Sequence, residues 1–261
     1  MKILALGDVI GDGGIGILEK SGRLRKLRDS LSADLVIANG ENSYKKNGMT
    51  PDSAARLIES GVDIITGGNH TWKQNSVFNT LDDNSSIIRP ANYPDKAPGM
   101  GWTITEAAGR RVLVINVAGC IFMDEPVTPP AGVIESILDR QQGKYDIAVC
   151  DVHAEATSEK MILARLFDGR LSAVFGTHTH VQTADEQILP GGTGFITDLG
   201  MCGSENGILG VKSECVIKKY TEMVPVAFEH AEGSYSIRGA LFTIDPGTAK
   251  CTEVERIYIR C

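Results

Sequence analysis

Short hydrophobic runs alternate along this chain with longer segments that carry hydrophobic residues at helical spacing. The short runs are typical of buried strands, and the longer segments are typical of amphipathic helices. This pattern predicts strands at residues 2–6, 35–38, 64–66, 112–117, 147–150 and 173–175. It predicts helices at residues 15–31, 52–60, 133–142 and 158–167, and a further helix after Val211.

The alternation of strands and helices indicates βαβ units and therefore an α/β fold. From Tyr235 onward, hydrophobic and polar residues alternate one by one, which predicts an antiparallel hairpin that closes the domain. Residues 90–101 contain three prolines and two glycines, so we expect a loop there. Because no repeat or linker interrupts the chain, we expect one domain over residues 1–261, with two sheets packed between helices.

Composition and charge narrow the classes of function. Charged residues at 23% and hydrophobic residues at 42% exclude a disordered or fibrous protein. The net charge of −7 and the lack of a basic stripe argue against long DNA or RNA as a partner. A small phosphate ester remains compatible, because metal ions can supply the positive charge. Neither a signal peptide nor a membrane-spanning run is evident, so we expect a cytoplasmic protein with reduced, mostly buried cysteines.

Polar residues follow five of the predicted strands at the point where each strand ends. The carboxyl edge of an open α/β sheet is where such folds carry their sites, so we expect these five corners to meet. The corners are Gly7-Asp8-Val9-Ile10-Gly11, Asn39-Gly40-Glu41-Asn42, Gly67-Gly68-Asn69-His70, Cys150-Asp151-Val152-His153-Ala154-Glu155 and Gly176-Thr177-His178-Thr179-His180.

Each corner offers metal ligands, although each has a simpler explanation when it is taken alone. In an extended strand end, His178 and His180 would project to the same side and could share a metal centre; solvent-facing histidines are the alternative. Asp8 could be a ligand or the N-cap of the following helix. A carboxylate at Glu41 can bridge two divalent cations, one oxygen to each.

The combination of corners is more informative than any one of them. Of five histidines, only His230 lies elsewhere, in a polar segment that predicts a solvated side chain. Nitrogen and oxygen ligands of this kind suit Fe, Mn or Zn, and the absence of thiolate motifs argues against a structural zinc. Two ions fit better than one, because seven candidate ligands are present: Asp8, Glu41, Asn42, Asn69, His153, His178 and His180. Asp151 and Glu155 are candidate partners behind the ligands.

The ordered motifs Gly-Asp, Gly-Glu-Asn, Gly-Asn-His, Asp-x-His-Ala-Glu and Gly-Thr-His-Thr-His resemble the calcineurin-like metallophosphoesterase superfamily. They resemble more closely its bacterial YmdB-like family of cyclic-nucleotide phosphodiesterases. Ile10 replaces a histidine that most superfamily members carry, and Glu41-Asn42 replaces a Gly-Asp-x-x-Asp motif; the YmdB-like branch shares both departures.

The resemblance implies a four-layer α/β/β/α sandwich. It also implies one metal held by Asp8, Asn42 and His180, a second held by Asn69, His153 and His178, a bridging Glu41, and His70 as the proton donor. Iron and manganese are the leading candidates for the two ions, and zinc and magnesium are also compatible.

The functional hypothesis is hydrolysis of 2′,3′- or 3′,5′-cyclic nucleotides. Two cations roughly 3.5–4 Å apart can hold a hydroxide that attacks phosphorus, while His70 protonates the leaving oxygen. Two alternatives stay open: a phosphomonoesterase such as a nucleotidase, and a regulatory protein that binds a nucleotide with slow turnover. A homo-oligomer is compatible with the sequence. Asp198 is a candidate pocket residue, and Arg89 a candidate phosphate contact or surface ion pair.

Overall fold

The computed structural model describes residues 1–261, which form thirteen strands and seven α-helices. The strands are β1 (Lys2–Leu6), β2 (Asp8–Val9), β3 (Leu35–Asn39), β4 (Ile64–Thr66), β5 (Trp102–Ala107), β6 (Arg110–Ala118), β7 (Ile147–His153), β8 (Ala173–Thr177), β9 (Gln187–Ile188), β10 (Gly194–Ile196), β11 (Met201–Ser204), β12 (Tyr235–Ile244) and β13 (Cys251–Arg260). The helices are α1 (Gly11–Glu19), α2 (Arg23–Leu31), α3 (Pro51–Ser60), α4 (Phe78–Asp83), α5 (Pro130–Arg140), α6 (Thr157–Leu166) and α7 (Ser213–Glu222). None of these helices is long and apolar enough to cross a membrane.

The strands form two mixed sheets. In the first, β1, β3 and β4 are parallel neighbours, and β12 pairs antiparallel with β1. The predicted C-terminal hairpin is confirmed as β12 and β13, and it enters the sheet beside β1 rather than only closing an edge. In the second sheet, β6, β7, β8 and β10 run parallel, with β5 and β9 antiparallel at the two edges.

Three hydrophobic cores separate the layers. Alternate residues of β1 point to opposite faces, so that Leu4 and Leu6 pack against the helices while Ile3 and Ala5 face the second sheet. The core between the two sheets also contains Val112 and Val149, and a third core packs the second sheet against α5 and α6. The order helix, sheet, sheet, helix confirms the predicted four-layer α/β/β/α sandwich.

The helix predicted over residues 15–31 is instead two helices. A 3₁₀ turn at Lys20–Gly22 separates α1 from α2. Within it, Ser21 has a φ of 55° and Gly22 has a φ of 65°, and neither value continues an α-helix. The hydrophobic pattern continues through this break because both helices pack their hydrophobic residues into the same core. The pattern alone therefore did not reveal the turn.

Buried polar contacts join the two sheets at their carboxyl edges. Thr66 at the end of β4 donates its hydroxyl to Asp151 in β7 over 2.5 Å. Asn39 at the end of β3 donates to the carbonyl of Gly67 over 3.0 Å and lies 3.4 Å from the Asp151 carboxylate. The polar corners that follow the strands of the first sheet are therefore held close to those that follow the strands of the second sheet.

Candidate metal centre

The side chain of His153 is the meeting point of one half of the candidate ligands. Its Nε2 atom lies 3.1 Å from Asn69 Oδ1, 3.1 Å from His178 Nδ1 and 3.3 Å from Glu41 Oε1. The ligand atoms of Glu41, His153 and His178 all lie within 4.8 Å of one another, which is close enough for them to share one ion.

The other half is built around Asp8 and His180. Asp8 Oδ1 lies 3.6 Å from His180 Nε2, which in turn lies 3.4 Å from the amide nitrogen of Asn42. That amide donates to Glu41 Oε1 over 3.0 Å, so Glu41 is contacted from both halves. The structure thus brings together all seven sequence-predicted ligands, with Glu41 between the two groups.

The outer nitrogen of each histidine faces an acceptor. His180 Nδ1 donates to the carbonyl of Leu209 over 3.1 Å, and His178 Nε2 lies 3.1 Å from Glu155 Oε2. His153 Nδ1 lies 2.9 Å from the hydroxyl of Thr177. With the proton on the outer nitrogen, the lone pair of the inner nitrogen faces the centre, which is the arrangement that metal-bound histidines adopt.

Asp151 reaches His153 through one intervening hydroxyl. Thr177 Oγ1 donates its proton to Asp151 Oδ1 over 2.8 Å. The Thr177 hydroxyl oxygen is therefore free to accept the Nδ1–H of His153. Burial is the largest influence on the Asp151 carboxyl and raises its pKa to about 6. Sequence reasoning did not single out Thr177, although it lies inside the Gly-Thr-His-Thr-His corner.

The electrostatics of the cluster attract positive charge. Burial opposes protonation of His153, but the nearby carboxylates, Glu41 first, outweigh it and raise the pKa of His153 to about 9. Burial and the adjacent positive charge of His153 lower the pKa of His178 to about 4. Burial also opposes ionisation of Glu41, yet His153 and His70 hold its pKa below the ordinary value. A proton at His153 therefore occupies the place where a cation would be most stable.

Two further observations show that a metal fits these residues. Asp8 is completely buried, and its Oδ1 atom has no hydrogen-bond partner. Burial raises the pKa of this carboxyl, but the neighbouring histidines outweigh that effect and hold the pKa below the ordinary value. A buried carboxylate oxygen without a partner is costly, and coordination would satisfy it. Gly68 provides the space: a Cβ there would lie 2.2 Å from Glu41 Oε2 and 2.3 Å from His153 Nε2.

The N-cap alternative for Asp8 is wrong, because Ile10 occupies the N-cap position of α1 and no side chain caps that helix. The expectation of an extended strand end at the histidine pair is also wrong. Strand β8 ends at Thr177, and His178 and His180 have φ values of 99° and 64°. Such conformations cost non-glycine residues about 1–3 kcal/mol each and persist only where the surroundings enforce them.

His70 lies beside the ligands with its Nδ1 atom held. That atom is 2.9 Å from Asn42 Oδ1 and 3.4 Å from Glu41 Oε1, and the backbone N–H of His70 donates to Glu41 Oε2 over 2.8 Å. Asn42 therefore turns its oxygen towards His70 and its nitrogen towards Glu41 and His180. The Asn42 oxygen could coordinate an ion only through its remaining lone pair, or after a rotation of the side-chain amide that exchanges the oxygen and the nitrogen.

The centre opens into a cavity of about 340 Å³, within the range of small-molecule sites. Sequence reasoning missed its apolar wall, formed by Ile10, Leu209, Val211 and Phe228, because these residues meet only in the folded chain. The full lining is Ile10, Glu41, Asn42, Asn47, His70, Glu155, His178, Thr179, His180, Leu209, Val211, Phe228 and His230.

Three expectations about individual residues are wrong. His230 is half-buried at this cavity rather than solvated, and burial lowers its pKa. Arg89 is buried, donates to the carbonyls of Gly99 and Pro90 rather than to a carboxylate, and does not line this cavity. Asp198 does not line the cavity, because it is buried and paired with Lys160.

Comparisons with known proteins agree with this architecture over its whole length. The model of the "YmdB-like protein" family matches residues 4–257. A protein of Bacillus subtilis (strain 168) named 2′,3′-cyclic-nucleotide 2′-phosphodiesterase is 42% identical over 259 residues, which are 99% of this chain and 97% of that relative.

Two solved structures superpose closely. A hypothetical protein from Thermus thermophilus has a TM-score of 0.92 at 37% identity and covers 100% of this chain and 99% of its own. A structure described as a novel phosphatase of Mycoplasma pneumoniae has a TM-score of 0.92 at 32% identity, with coverages of 100% and 93%. The chain therefore belongs to the YmdB-like family and has the calcineurin-like metallophosphoesterase fold.

Proposed function

We propose that this protein is a dinuclear-metal phosphodiesterase that hydrolyses small cyclic nucleotides, with His70 as the proton donor. The observation that carries the proposal is the convergence on Glu41 of two groups of ligand atoms, one around His153 and one around Asp8. A single ion beside His153 would leave the buried Asp8 Oδ1 atom without a hydrogen-bond or metal partner.

Each residue has a definite task in this proposal. Asp8, Asn42 and His180 would hold one ion, Asn69, His153 and His178 would hold the other, and Glu41 would lie between them. When bound, the ions would supply the charge that polarises the phosphoryl group and makes water reactive near neutral pH. Nitrogen and oxygen ligands without thiolates favour iron or manganese, with zinc and magnesium as the other candidates.

His70 completes the reaction by giving a proton to the leaving ribose oxygen. Its Nδ1–H is engaged with Asn42, so the ring is oriented and Nε2 is the nitrogen that carries the transferable proton. The side chain is 27% exposed, which allows the proton to be replaced from solvent after each turnover. Proton donation of this kind typically contributes about 10²–10⁴-fold to the rate.

The substrate class follows from the cavity and from the named relative. A cavity of about 340 Å³ beside the candidate centre suits a mononucleotide better than a polymer. The B. subtilis relative is named for 2′,3′-cyclic nucleotides, which makes these diesters the first substrates to test, followed by 3′,5′-cyclic nucleotides. A phosphomonoesterase remains the second candidate, since the M. pneumoniae structure is described as a phosphatase.

The decisive experiment begins with metal-free protein loaded with Mn²⁺ or Fe²⁺, with metal content measured per chain. The loaded protein is assayed against 2′,3′- and 3′,5′-cyclic nucleotides, nucleoside monophosphates and aryl phosphates. We expect two ions per chain and preferential cleavage of the cyclic diesters. Faster cleavage of monoesters would establish the phosphomonoesterase instead, and nucleotide binding without turnover would establish a regulatory binding protein.

A further inference from the structure

A buried ion pair outside the candidate ligand set contacts the turn that carries two of the ligands. Lys160 Nζ in α6 lies 2.7 Å from Asp198 Oδ2, and each side chain is only 1% exposed. The same Asp198 oxygen accepts the backbone N–H of Thr179 over 3.2 Å and its hydroxyl over 2.8 Å. Thr179 is the residue between His178 and His180.

This turn needs an external support. Its two histidines both have positive φ values, which a non-glycine backbone does not adopt unless its surroundings enforce them. The N–H of His178 bonds to Asp8, which is itself a candidate ligand. Thr179 adds two contacts to a group outside the ligand set, and both of them end on the Asp198 carboxylate.

The Asp198 carboxylate is itself fixed and neutralised. Its other oxygen accepts the N–H of Gly200 over 2.8 Å, so it cannot rotate away from the turn without losing that bond. Its negative charge is buried, and a buried carboxylate is tolerated only when it is paired. Lys160 supplies the opposite charge, and α6 in the outer layer is thereby linked through Asp198 to the turn between His178 and His180.

The Gly176 position shows that the fold makes room for this lysine. A Cβ at Gly176 would lie 2.6 Å from Lys160 Cδ and 1.9 Å from the carbonyl oxygen of Thr197. The single glycine of the Gly-Thr-His-Thr-His corner thus lets the lysine side chain pass close to β8 on its way to Asp198. The glycine, the lysine and the carboxylate form one structural unit below the histidine turn.

We propose that the Lys160–Asp198 pair is the positioning device that holds the His178–His180 turn in its metal-binding conformation. Lys160 forms no hydrogen bond or ion pair with a candidate ligand and acts through Asp198 and Thr179. This inference rests on the proposed roles of His178 and His180 as ligands.

The test measures binding of Mn²⁺ alone to the metal-free protein by calorimetry, together with the melting temperature and with kcat and KM after loading. The variants are Lys160→Met, Thr179→Val and Thr179→Ser. Thr179→Val is the sensitive case, because Thr179 is only partly buried and the fold is expected to survive its change. Thr197→Val is the matched control. Thr197 is the residue before Asp198, and this change removes a threonine–aspartate hydrogen bond that goes to Asp185 and not to the histidine turn.

We expect Lys160→Met and Thr179→Val to weaken Mn²⁺ binding by roughly 10–100-fold and to lower kcat, with Thr179→Ser restoring both. The Thr197→Val control should bind Mn²⁺ as the wild type does. If Thr179→Val and Lys160→Met bind Mn²⁺ like this control, the positioning role is wrong. If His178→Ala and His180→Ala also bind Mn²⁺ normally, the ligand assignment of the proposed function is wrong as well.

Discussion

The Nε2 atom of His153 lies 3.3 Å from the Oε1 atom of Glu41, although His153 ends a strand of the second sheet and Glu41 follows a strand of the first. The candidate metal centre therefore spans the junction of the two sheets. Neither sheet alone contains enough ligands for two ions, so the centre exists only when the sheets are packed against each other.

Replacing Glu41 with alanine is expected to remove both ions, because its carboxylate faces both groups of ligands. Elemental analysis of the purified variant measures this directly. The control is Glu155→Gln, which changes a carboxylate that contacts the outer nitrogen of His178. This change should weaken the binding of one ion roughly 10–100-fold and leave the other ion bound. Two ions per chain in Glu41→Ala would exclude the bridging role.

Replacing His70 with alanine is expected to leave two ions in place and to lower kcat for cyclic nucleotides by roughly 10²–10⁴-fold. The loss should be much smaller for bis(p-nitrophenyl) phosphate, whose weakly basic leaving group needs little protonation. Steady-state kinetics on both substrates, with metal content measured in parallel, separate these effects. An equal loss on both substrates, or a loss of metal, would show that His70 is not the proton donor.

The raised pKa of His153 predicts opposite pH trends for stability and for metal binding. Its pKa of about 9 lies above the ordinary 6.5, so the protonated ring stabilises the metal-free fold fully below pH 6.5 and loses this contribution as the pH rises through 9. A metal must displace that proton, so Mn²⁺ affinity should increase by up to about tenfold per pH unit below pH 9.

Calorimetry across pH 6 to 9 measures the affinity, and thermal melts of metal-free protein measure the stability. The variant Thr177→Val is informative here, because it removes the hydroxyl between His153 and Asp151 without removing either of them. A Mn²⁺ affinity that does not change over this pH range would contradict protonation of His153 in the metal-free protein.

Replacing Gly68 with alanine is expected to abolish binding of at least one ion and to destabilise the protein by about 1–3 kcal/mol. The new methyl group would meet the Glu41 carboxylate and the His153 ring at 2.2 and 2.3 Å. Gly132→Ala in α5 is the control, since a Cβ there meets nothing within 4 Å. Normal metal content in Gly68→Ala would show that the centre can move to accommodate the methyl group.

Much of the site could be predicted because the relevant information is local. A hydrophobic run that ends in glycine and a polar residue marks a strand end, and parallel strands bring such ends together. This is why Asp8, Glu41 and His153 could be placed together from sequence. The chemistry of the side chains then indicated metal binding.

The rest depends on contacts between distant segments. The positive φ values of His178 and His180 arise from tertiary contacts, and no feature of the Gly-Thr-His-Thr-His motif itself indicates them. The pairing of Lys160 with Asp198, and the position of His230 at the cavity, likewise join residues whose spacing carries no periodic signal. Hydrophobic periodicity reports which face of an element is buried, and it does not report which polar groups meet there.

The insertion of β12 beside β1 has a consequence for biosynthesis. Strand β1 pairs on one side with β3, which follows it closely in the chain, but its other neighbour spans Tyr235–Ile244. While the chain emerges from the ribosome, the strand that leads to Asp8 therefore keeps one edge open until more than two hundred further residues have been made. A nascent chain that stops short of β12 would expose that edge to pairing with other chains.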